Sequence, residues 1–427
     1  MTVRIGLVGT GTVGGGCIDI LQAHRADFAR HYGIDVELAW VCSRNPEQAE
    51  SHGVADLFTG DYHDIVNDPT IDVVVELIGG TTVARDVVLS ALNAGKAVVT
   101  ANKALMATHG QEVMEAAERN GVEVAFEASV GGGIPIIDPL KHSLIANEIT
   151  SVMGIVNGTT NYMLTRMAED DLSYEAALKE AQAKGFAEAD PSADVDGFDA
   201  AAKIAILASI AFNSRVTLDE VYTRGITNIS PVDLEAAKGM GYAVKLLAIA
   251  HRTAAGIDVR VHPTMIPEDH QLAKVNGVFN AIYVVGDAVG ETMFFGEGAG
   301  AGPAASAVMG DVLEVARHLA ADVKPLVGCT CTDELPIMPL EELSMKYYVR
   351  FTVEDQLGVL ATIARIFAEH NVSLHSVMQR GREESGSVDV VYVTHRAQER
   401  DIRAAIDEIE ATEGMLLADP SLIRVEE

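Results

Sequence analysis

Apolar and polar positions alternate along the first part of the chain in a way that predicts strands and helices in turn. VRIGLVG (3–9) and IDVVVELIGG (71–80) are apolar runs typical of buried strands, whereas TVARDVVLSALNAG (82–95) has helical spacing. Strand, helix and strand in repetition predict a parallel sheet with right-handed crossovers. The fold class is therefore α/β.

The pattern changes from about residue 135 onward. Helices are predicted near 173–184 and 198–213, and strands within 230–295, which indicates a mixed α/β domain. The C-terminal part reads strand, helix, strand, strand, helix, and the irregular, proline-bearing segment before it indicates a linker. The expected organisation is a first domain at 1–134 completed by about 296–325, a second at 135–295, a linker at 326–345 and a third domain at 346–427.

Length and charge narrow the class of protein. With 427 residues the chain is expected to form two or three domains. The 62 acidic and 31 basic side chains give a formal charge of -31, which argues against a nucleic-acid partner. No apolar run of membrane-spanning length and no leader pattern occur, so we expect no membrane partner and a cytoplasmic location.

Four cysteines, Cys17, Cys42, Cys329 and Cys331, are irregularly spaced. The spacing predicts neither a disulfide framework nor a zinc site, because Cys329-Thr-Cys331 lacks a second pair. We interpret all four as structural or incidental.

The first motif is a glycine-rich turn between a strand and a helix. It contains five residues expected to contact a cofactor: Gly9, Thr10, Gly11, Val13 and Gly14. Glycines spaced GxGxxG allow a tight turn, close approach of backbone N–H groups to a pyrophosphate and close helix packing. At the start of a strand-helix series this predicts a Rossmann-type dinucleotide-binding domain.

The end of the second strand indicates which dinucleotide is bound. An NAD site places Asp or Glu there to accept from the ribose 2′-OH, whereas this chain has Arg44. Arg44 favours a 2′-phosphate and therefore NADP, with NAD left open because Glu37 lies a few residues earlier.

Two lysines are candidates for the chemistry. Lys203 lies in a helical run that is apolar nearly all round, with Asp199 four residues before it. Burial of an ammonium costs free energy unless it is paired, and it lowers the lysine pKa toward the range useful for proton transfer. The alternative is a routine helix ion pair. Lys103 follows a strand at the sheet edge where α/β proteins bind ligands, although a solvated loop lysine is the competing interpretation.

Several motifs together resemble the homoserine dehydrogenase family along almost the whole chain. They are GLVGTGTVGGG, ELIGG, VTANKALMA, FEASVGGGIPII, NGTTNYML, GFAEADPSADVDGFDAAAKIAILA and GEGAGAGPAASAV. The family interconverts L-homoserine and L-aspartate 4-semialdehyde with NAD(P), on the route to threonine and methionine. The resemblance implies a substrate-binding and dimerisation domain after the cofactor domain.

The resemblance also implies roles for individual residues. Lys203 would transfer the proton at the substrate oxygen, and Lys103 would contact cofactor and substrate. Glu188 and Asp199 would bind the substrate, with Glu188 facing its α-ammonium and Asp194 supporting them. Further contacts implied by the resemblance are Gly158 and Thr159 toward the substrate and Gly185 and Gly300 toward the cofactor.

Members of the family also hold a monovalent cation, Na⁺ or K⁺. The resemblance assigns it to the Glu127 side chain and the carbonyls of Val130, Gly132 and Ile134. One departure from the family pattern is Glu297, which adds a negative charge to a glycine-rich cofactor loop where proline is usual.

The segment from about residue 346 resembles an ACT domain, a βαββαβ module. Such modules pair across subunits and bind amino acids at the turn before their first helix, here 355–360, and near Asn371. The resemblance implies threonine as a feedback effector and a homo-oligomer, dimer or tetramer. A module that serves assembly only is the alternative.

Two other functions remain open. The first is another NADP-dependent dehydrogenase of amino-acid metabolism, for example an aldehyde dehydrogenase that forms an acyl-enzyme. That chemistry needs a nucleophilic cysteine, and neither Cys17 nor Cys42 has an evident partner base. A non-catalytic protein that senses nucleotide and amino acid would not require Lys203 or its acids.

Overall fold

The computed structural model describes residues 2–323, 328–381 and 386–426. Its strands are β1 (Thr2–Val8), β2 (Asp35–Cys42), β3 (Phe58–Thr59), β4 (Val73–Glu76), β5 (Ala97–Thr100), β6 (Val124–Ala125), β7 (Ile149–Ile155), β8 (Tyr222–Thr223), β9 (Tyr242–Thr253), β10 (Gly256–Pro267), β11 (Phe279–Gly286), β12 (Gly290–Glu297), β13 (Ser344–Glu354), β14 (Leu374–Gly381), β15 (Ser387–Thr394), β16 (Ala397–Gln398) and β17 (Ser421–Val425).

The helices are also numbered in chain order. They are α1 (Thr12–Tyr32), α2 (Pro46–Ser51), α3 (Tyr62–Asn67), α4 (Val83–Asn93), α5 (Lys103–Asn120), α6 (Gly158–Asp170), α7 (Tyr174–Ala183), α8 (Ser192–Val195), α9 (Phe198–Ala211), α10 (Pro231–Gly239), α11 (Ala301–Ala320), α12 (Val359–Glu369) and α13 (Glu399–Ala411). Within the described residues no helix combines the length and apolarity needed to cross a bilayer.

The chain folds into two compact units, each built from three segments. The first unit contains Met1–Gly158, Ala201–Val221 and Phe279–Leu335. The second contains Thr159–Ala200, Tyr222–Val278 and Pro336–Glu427.

The first unit contains a six-stranded sheet in the order β3-β2-β1-β4-β5-β6. Every strand pair in it is parallel, as the strand-helix alternation predicts. Apolar residues on both faces are buried because helices cover the sheet, and the four residues of β4 are all buried. The α/β fold class with a Rossmann-like domain is confirmed.

Helix α11 returns from late in the sequence to this sheet. Its residues Ala305, Val308 and Val312 join the core formed by β1, α1 and β2. Gly16 allows the close packing, because a Cβ added there would lie 2.9 Å from the Ala301 carbonyl oxygen. The first unit also contains an antiparallel ladder, β12-β11-β7.

The second unit contains the long β9-β10 hairpin and the C-terminal module. The module has the order β17-β13-β15-β14 with α12 and α13, which confirms the expected βαββαβ arrangement. Strand β17 also pairs with β10 in parallel, at Thr264 with Arg424 and at Met265 with Val425.

The expected linker includes residues with defined contacts. The Ile257 N–H donates to the Pro336 carbonyl at 2.8 Å, and the Met338 N–H donates to the Ile257 carbonyl at 2.8 Å. These bonds fasten the chain to the start of β10 before the C-terminal module begins. Residues 326 and 327 of the expected linker lie outside the described residues.

Candidate functional site

The glycine-rich turn joins β1 to α1 in the first unit. Gly9 has φ +109°, and its N–H donates to the Cys42 carbonyl at 2.8 Å. A Cβ at Gly14 would lie 2.0 Å from the Gly9 carbonyl oxygen, so only glycine permits this approach. Apart from its two chain neighbours, no described residue has an atom within 4 Å of a Cβ added at Gly11, where the turn faces open space.

The N-terminus of α1 fits a pyrophosphate. No side chain of the described residues caps it, so the first-turn N–H groups can serve as anion donors. Thr10 is buried and its hydroxyl donates to Gln48 at 2.8 Å, which anchors the turn to α2. Val13 is partly buried and packs against the apolar core that includes β1, α1 and β2. Backbone N–H groups at the start of a helix are the donors that bind the pyrophosphate in a dinucleotide site.

Arg44 and Glu37 lie in different parts of the second strand region. Arg44 is exposed and comes after the carboxyl end of β2. Glu37 pairs opposite Arg4 near the start of the strand and forms an ion pair with it at 3.5 Å. Glu37 therefore does not stand at the strand end where a ribose acid is needed.

Lys103 is the first residue of α5 and lies three residues after β5 ends at Thr100. The Asn102 side chain caps the helix by accepting from the Leu105 N–H at 3.0 Å, and it also donates to the Gly80 carbonyl at 2.7 Å. The Asn102 cap therefore fixes the start of α5 at Lys103.

A buried hydrogen-bond chain that the sequence analysis missed supports this edge of the sheet. The Thr100 hydroxyl donates to Glu76 at 2.6 Å and accepts from the Asn102 N–H at 3.0 Å. The other Glu76 oxygen accepts from the N–H groups of Ile78 and Gly79. The chain thus connects the ends of β4 and β5 and orients the turn that leads to Lys103.

Lys203 occupies the second turn of α9. Residues 199–209 of this helix are all buried, and Lys203 itself is 8 % exposed. Its ammonium donates to the Val156 carbonyl at 2.6 Å, directly after the end of β7. The backbone carbonyl compensates part of the cost of burying the charge.

The segment proposed for a cation has an unusual backbone. Gly131 and Gly132 have φ +73° and +58°, which turns successive peptide groups through the loop. A Cβ at Gly132 would lie 2.5 Å from the Gly298 carbonyl oxygen, so the loop packs directly against the stretch before α11. Gly300, with φ +128°, is the N-cap of that helix, which also lacks a side-chain cap.

The Glu127 carboxylate is hydrogen-bonded to backbone amides. It accepts from the N–H groups of Ile136, Ile137 and Asp138 at 2.5 to 2.8 Å. Burial raises the pKa of Glu127 despite these bonds. Its own N–H donates to Asp311 at 2.9 Å, and burial beside Glu127 raises the Asp311 pKa well above its ordinary value.

Carbonyl oxygens and one carboxylate fit a hard monovalent cation better than a transition metal. In the part of the chain that the structure describes, no group of three or more His, Cys, Asp or Glu side chains is arranged to hold a metal ion.

The second unit carries the acidic loop and α6 from Thr159 onward. The Thr159 hydroxyl donates to the Phe186 carbonyl at 2.6 Å, which brings Thr159 to the loop that begins at Gly185, where φ is +75°. Tyr162 packs edge-on against Phe186 with ring centroids 5.0 Å apart. Glu188 in this loop is exposed, so its carboxylate is available to a cation in solution.

The remaining acids differ in environment. Asp194 lies half-buried in α8, and Asp199 is 7 % exposed in the first turn of α9. Gly158, the first residue of α6, directly precedes Thr159. Asp190 binds the Ser192 hydroxyl and N–H, which lowers the Asp190 pKa, so this acid stabilises the loop itself.

Together, the parallel sheet, the glycine turn and the uncapped α1 define a dinucleotide-binding protein with a Rossmann-like domain. Family profiles for the homoserine dehydrogenase NAD-binding domain, homoserine dehydrogenase and the ACT domain match residues 9–127, 135–313 and 347–414. The chain belongs to the homoserine dehydrogenase family, whose members are oxidoreductases that act on a CH–OH group with NAD(P).

Relatives match over nearly their full length. The homoserine dehydrogenase of Synechocystis sp. is 46 % identical over 100 % of both chains, and that of Pseudomonas aeruginosa is 45 % identical over 97 % of this chain and 96 % of its own. A crystal structure of a homoserine dehydrogenase from Thiobacillus denitrificans is 41 % identical, covers 100 % of this chain and 99 % of its own, and has a TM-score of 0.94.

Proposed function

We propose that this chain reduces L-aspartate 4-semialdehyde to L-homoserine with hydride from NADPH, in a reversible reaction. The observation that carries the proposal is the buried ammonium of Lys203, held by the Val156 carbonyl at 2.6 Å. An aldehyde oxygen gains negative charge as hydride adds to its carbon, so a proton donor is needed within hydrogen-bond reach. The Lys203 ammonium suits this role because it carries the proton and can donate a hydrogen bond to that oxygen.

The other residue roles in the proposal are those that the family resemblance implies. Lys103, at the carboxyl end of β5, contacts cofactor and substrate in this proposal. Glu188 faces the substrate α-ammonium, with which its exposed carboxylate forms a charge-assisted hydrogen bond. Asp199 and Asp194 complete the acidic set. The backbone near Gly158 and Thr159 lies toward the substrate, and Gly185 and Gly300 lie toward the cofactor.

NADP is the preferred cofactor in this proposal, with NAD accepted less well. Exposed Arg44 can meet a 2′-phosphate, and Glu37 is engaged by Arg4 away from the strand end. When bound, the cofactor supplies the hydride, and the protein supplies orientation and the proton.

We include a monovalent cation in the proposal, Na⁺ or K⁺. The carbonyls of Val130, Gly132 and Ile134 would hold it, and the positive φ of Gly132 supports a loop with carbonyls turned to one side. Glu127 would add negative charge from its amide-bound carboxylate. The cation would stiffen the loop that packs on the stretch before α11.

Regulation and assembly form a separate part of the proposal. Threonine would bind the C-terminal module near 355–360 and Asn371, where the turn is exposed and Asn371 has φ 60°. Assembly into a dimer or tetramer is supported by exposed Phe279 and Phe295, whose rings lie 5.1 Å apart on β11 and β12. We propose that the enzyme acts in the cytoplasm.

The proposal is tested by following NADPH oxidation with L-aspartate 4-semialdehyde, using wild type and Lys203→Ala. We expect wild type to turn over and Lys203→Ala to bind NADPH while losing at least about a hundredfold in kcat. Equal activity of the two proteins would show that Lys203 is not the acid. An inactive wild type that still binds NADPH and threonine would favour the non-catalytic sensor.

A further inference from the structure

The four cysteines fall into two chemical classes. Cys17 and Cys42 are buried, and burial raises their thiol pKa to about 12 and about 11. Cys329 is exposed and Cys331 is half-buried. The interpretation of all four as structural or incidental therefore fits Cys17 and Cys42, but Cys329 and Cys331 have different surroundings.

Two cations of the first unit border the thiol pair. An Arg215 Nη atom donates to the Cys329 sulfur at 3.7 Å. Arg215 packs over Gly110 of α5, where an added Cβ would lie 3.4 Å from the guanidinium, so the absent side chain provides room for it. Lys141 lines the same open pocket of about 450 Å³.

Cys329 and Cys331 are two residues apart and line the same pocket. The hydrogen bond from Cys331, followed by the charges of Arg215 and Lys141, lowers the pKa of Cys329 to about 5 although partial burial opposes this. The same contact with a negatively charged Cys329 raises the pKa of Cys331. The opposite directions of the two pKa shifts mean that Cys329 ionises before Cys331.

Cys331 is also anchored to α9. Its thiol lies 3.6 Å from the Ser209 carbonyl, and the Ser209 hydroxyl donates to the carbonyls of Ala205 and Val216. The same helix carries Lys203. The second thiol is therefore held beside the first by a rigid element.

We propose that Cys329 and Cys331 form a peroxide-reactive thiol pair that closes reversibly to an intramolecular disulfide. The first step is attack of the Cys329 thiolate on a hydroperoxide. The S–O bond forms and the O–O bond breaks, sulfur loses two electrons, and the leaving alkoxide or hydroxide takes up a proton as alcohol or water. The product is a sulfenic acid on Cys329.

In the second step the Cys331 sulfur attacks the Cys329 sulfur. The S–S bond forms, the S–O bond breaks, and the departing hydroxide combines with the proton from Cys331 to give water. Oxidation of Cys329 removes the negative charge that held the Cys331 proton, so the second thiol becomes more acidic when it is needed. Two thiols and one hydroperoxide give one disulfide, one alcohol and one water.

The first test measures alkylation by iodoacetamide at about pH 6. At this pH nearly all of Cys329 should be thiolate, whereas free cysteine is mostly thiol. An acidic thiol is also a weaker nucleophile, which offsets part of this advantage. We therefore expect Cys329 to be alkylated about tenfold faster than free cysteine. Cys17 and Cys42 serve as internal controls and should remain unmodified in the folded protein. A Cys329 rate equal to theirs would overturn the proposal.

The second test treats the full-length protein with hydrogen peroxide and measures its intact mass. Wild type should lose two hydrogen atoms, with recovery by dithiothreitol, and peptide mapping should join Cys329 to Cys331. Cys331→Ser should stop at a sulfenic acid that dimedone traps, and Cys329→Ser should show neither product. Both substitutions lie outside the core. A stable sulfenic acid in wild type, or a reducible disulfide between two chains, would contradict the proposed pair.

Discussion

The Lys203 ammonium donates a 2.6 Å hydrogen bond to the carbonyl of Val156, directly after β7 ends. This bond connects the apolar helix α9 with the chain segment that leads to Gly158. A second buried lysine of the first unit, Lys96, also donates to backbone carbonyls, those of Asp68 and Ile71, at 2.6 and 2.8 Å. Both ammonium groups are buried and donate to backbone carbonyls, so the effects of substituting the two lysines can be compared directly.

Replacing each lysine with methionine should separate catalysis from folding. We expect Lys203→Met to lower kcat at least about a hundredfold, because it removes the proton donor. Lys96→Met should leave kcat within about twofold and lower the free energy of unfolding by about 1–3 kcal/mol, because buried carbonyls lose their donor. Urea unfolding and steady-state kinetics check both. A comparable loss of kcat in both variants would mean that Lys203 acts through stability.

Arg44→Ala should change the preference between the two nicotinamide cofactors. Loss of one charge-assisted contact to a phosphate is worth about 1.4 kcal/mol, so the KM for NADPH should rise about tenfold while that for NADH stays nearly constant. Arg30→Ala is the control, since Arg30 is exposed and pairs with Asp27 on α1. Equal changes in both cofactor KM values would exclude recognition of the 2′-phosphate.

Thr100→Val should disturb the sheet edge that leads to Lys103. The substitution keeps the shape and removes the 2.6 Å bond to Glu76, so the buried carboxylate loses a donor and the free energy of unfolding should fall by about 1–3 kcal/mol. We expect kcat to fall as well, because Asn102 and Lys103 lose their support. Thr108→Val removes an exposed hydroxyl bonded within α5 and should change neither quantity. Kinetics and urea unfolding of the two variants distinguish the effects.

Local pattern was sufficient to predict the parallel sheet and the glycine turn. The apolar run of β1 and the glycines that follow it encode their conformation within a few residues, and the apolar surroundings of Lys203 indicated its burial. The dinucleotide-binding domain could therefore be predicted from neighbouring residues alone.

Local sequence patterns could not predict contacts between residues that are distant in the sequence. Glu76 and Thr100 meet only because β4 and β5 pair in parallel with these residues in register. Arg215 reaches Cys329 across 114 positions of sequence, so nothing near Cys329 indicated a cation. In both cases the fold brings the two residues together, and no local sequence pattern indicates the contact.

Asp355→Ala should weaken inhibition by threonine. Asp355 lies in the exposed turn before α12, and its carboxylate can accept from the ammonium of an amino acid. We expect the threonine concentration for half-inhibition to rise at least about tenfold, the effect of losing one charged contact. Asp407→Ala, an exposed acid of α13, is the control. Full threonine sensitivity in Asp355→Ala would place the effector elsewhere.

The buried ion pair between Glu399 and Arg424 should make stability depend on pH. The exposed fractions of the two side chains are 0 % and 1 %, and Tyr347 also donates to Glu399 at 3.0 Å. Burial opposes the charged carboxylate, but the hydrogen bonds and charge of Arg424 outweigh it and lower the Glu399 pKa below its ordinary 4.5. The stabilisation is therefore complete above that ordinary pKa and is lost as pH falls through the lower folded-state pKa.

Glu399→Gln tests this dependence. At neutral pH it should lower the free energy of unfolding by about 3 kcal/mol, because Arg424 is left buried without its counter-charge. The difference from wild type should shrink as the pH falls from about 4.5 through the lower folded-state pKa, because unfolded Glu399 takes up a proton before folded Glu399 does. Glu369→Gln, which breaks the exposed pair with Arg365 on α12, should cost no more than about 0.5 kcal/mol. Urea unfolding across this pH range would refute the assignment if the Glu399→Gln difference stayed constant.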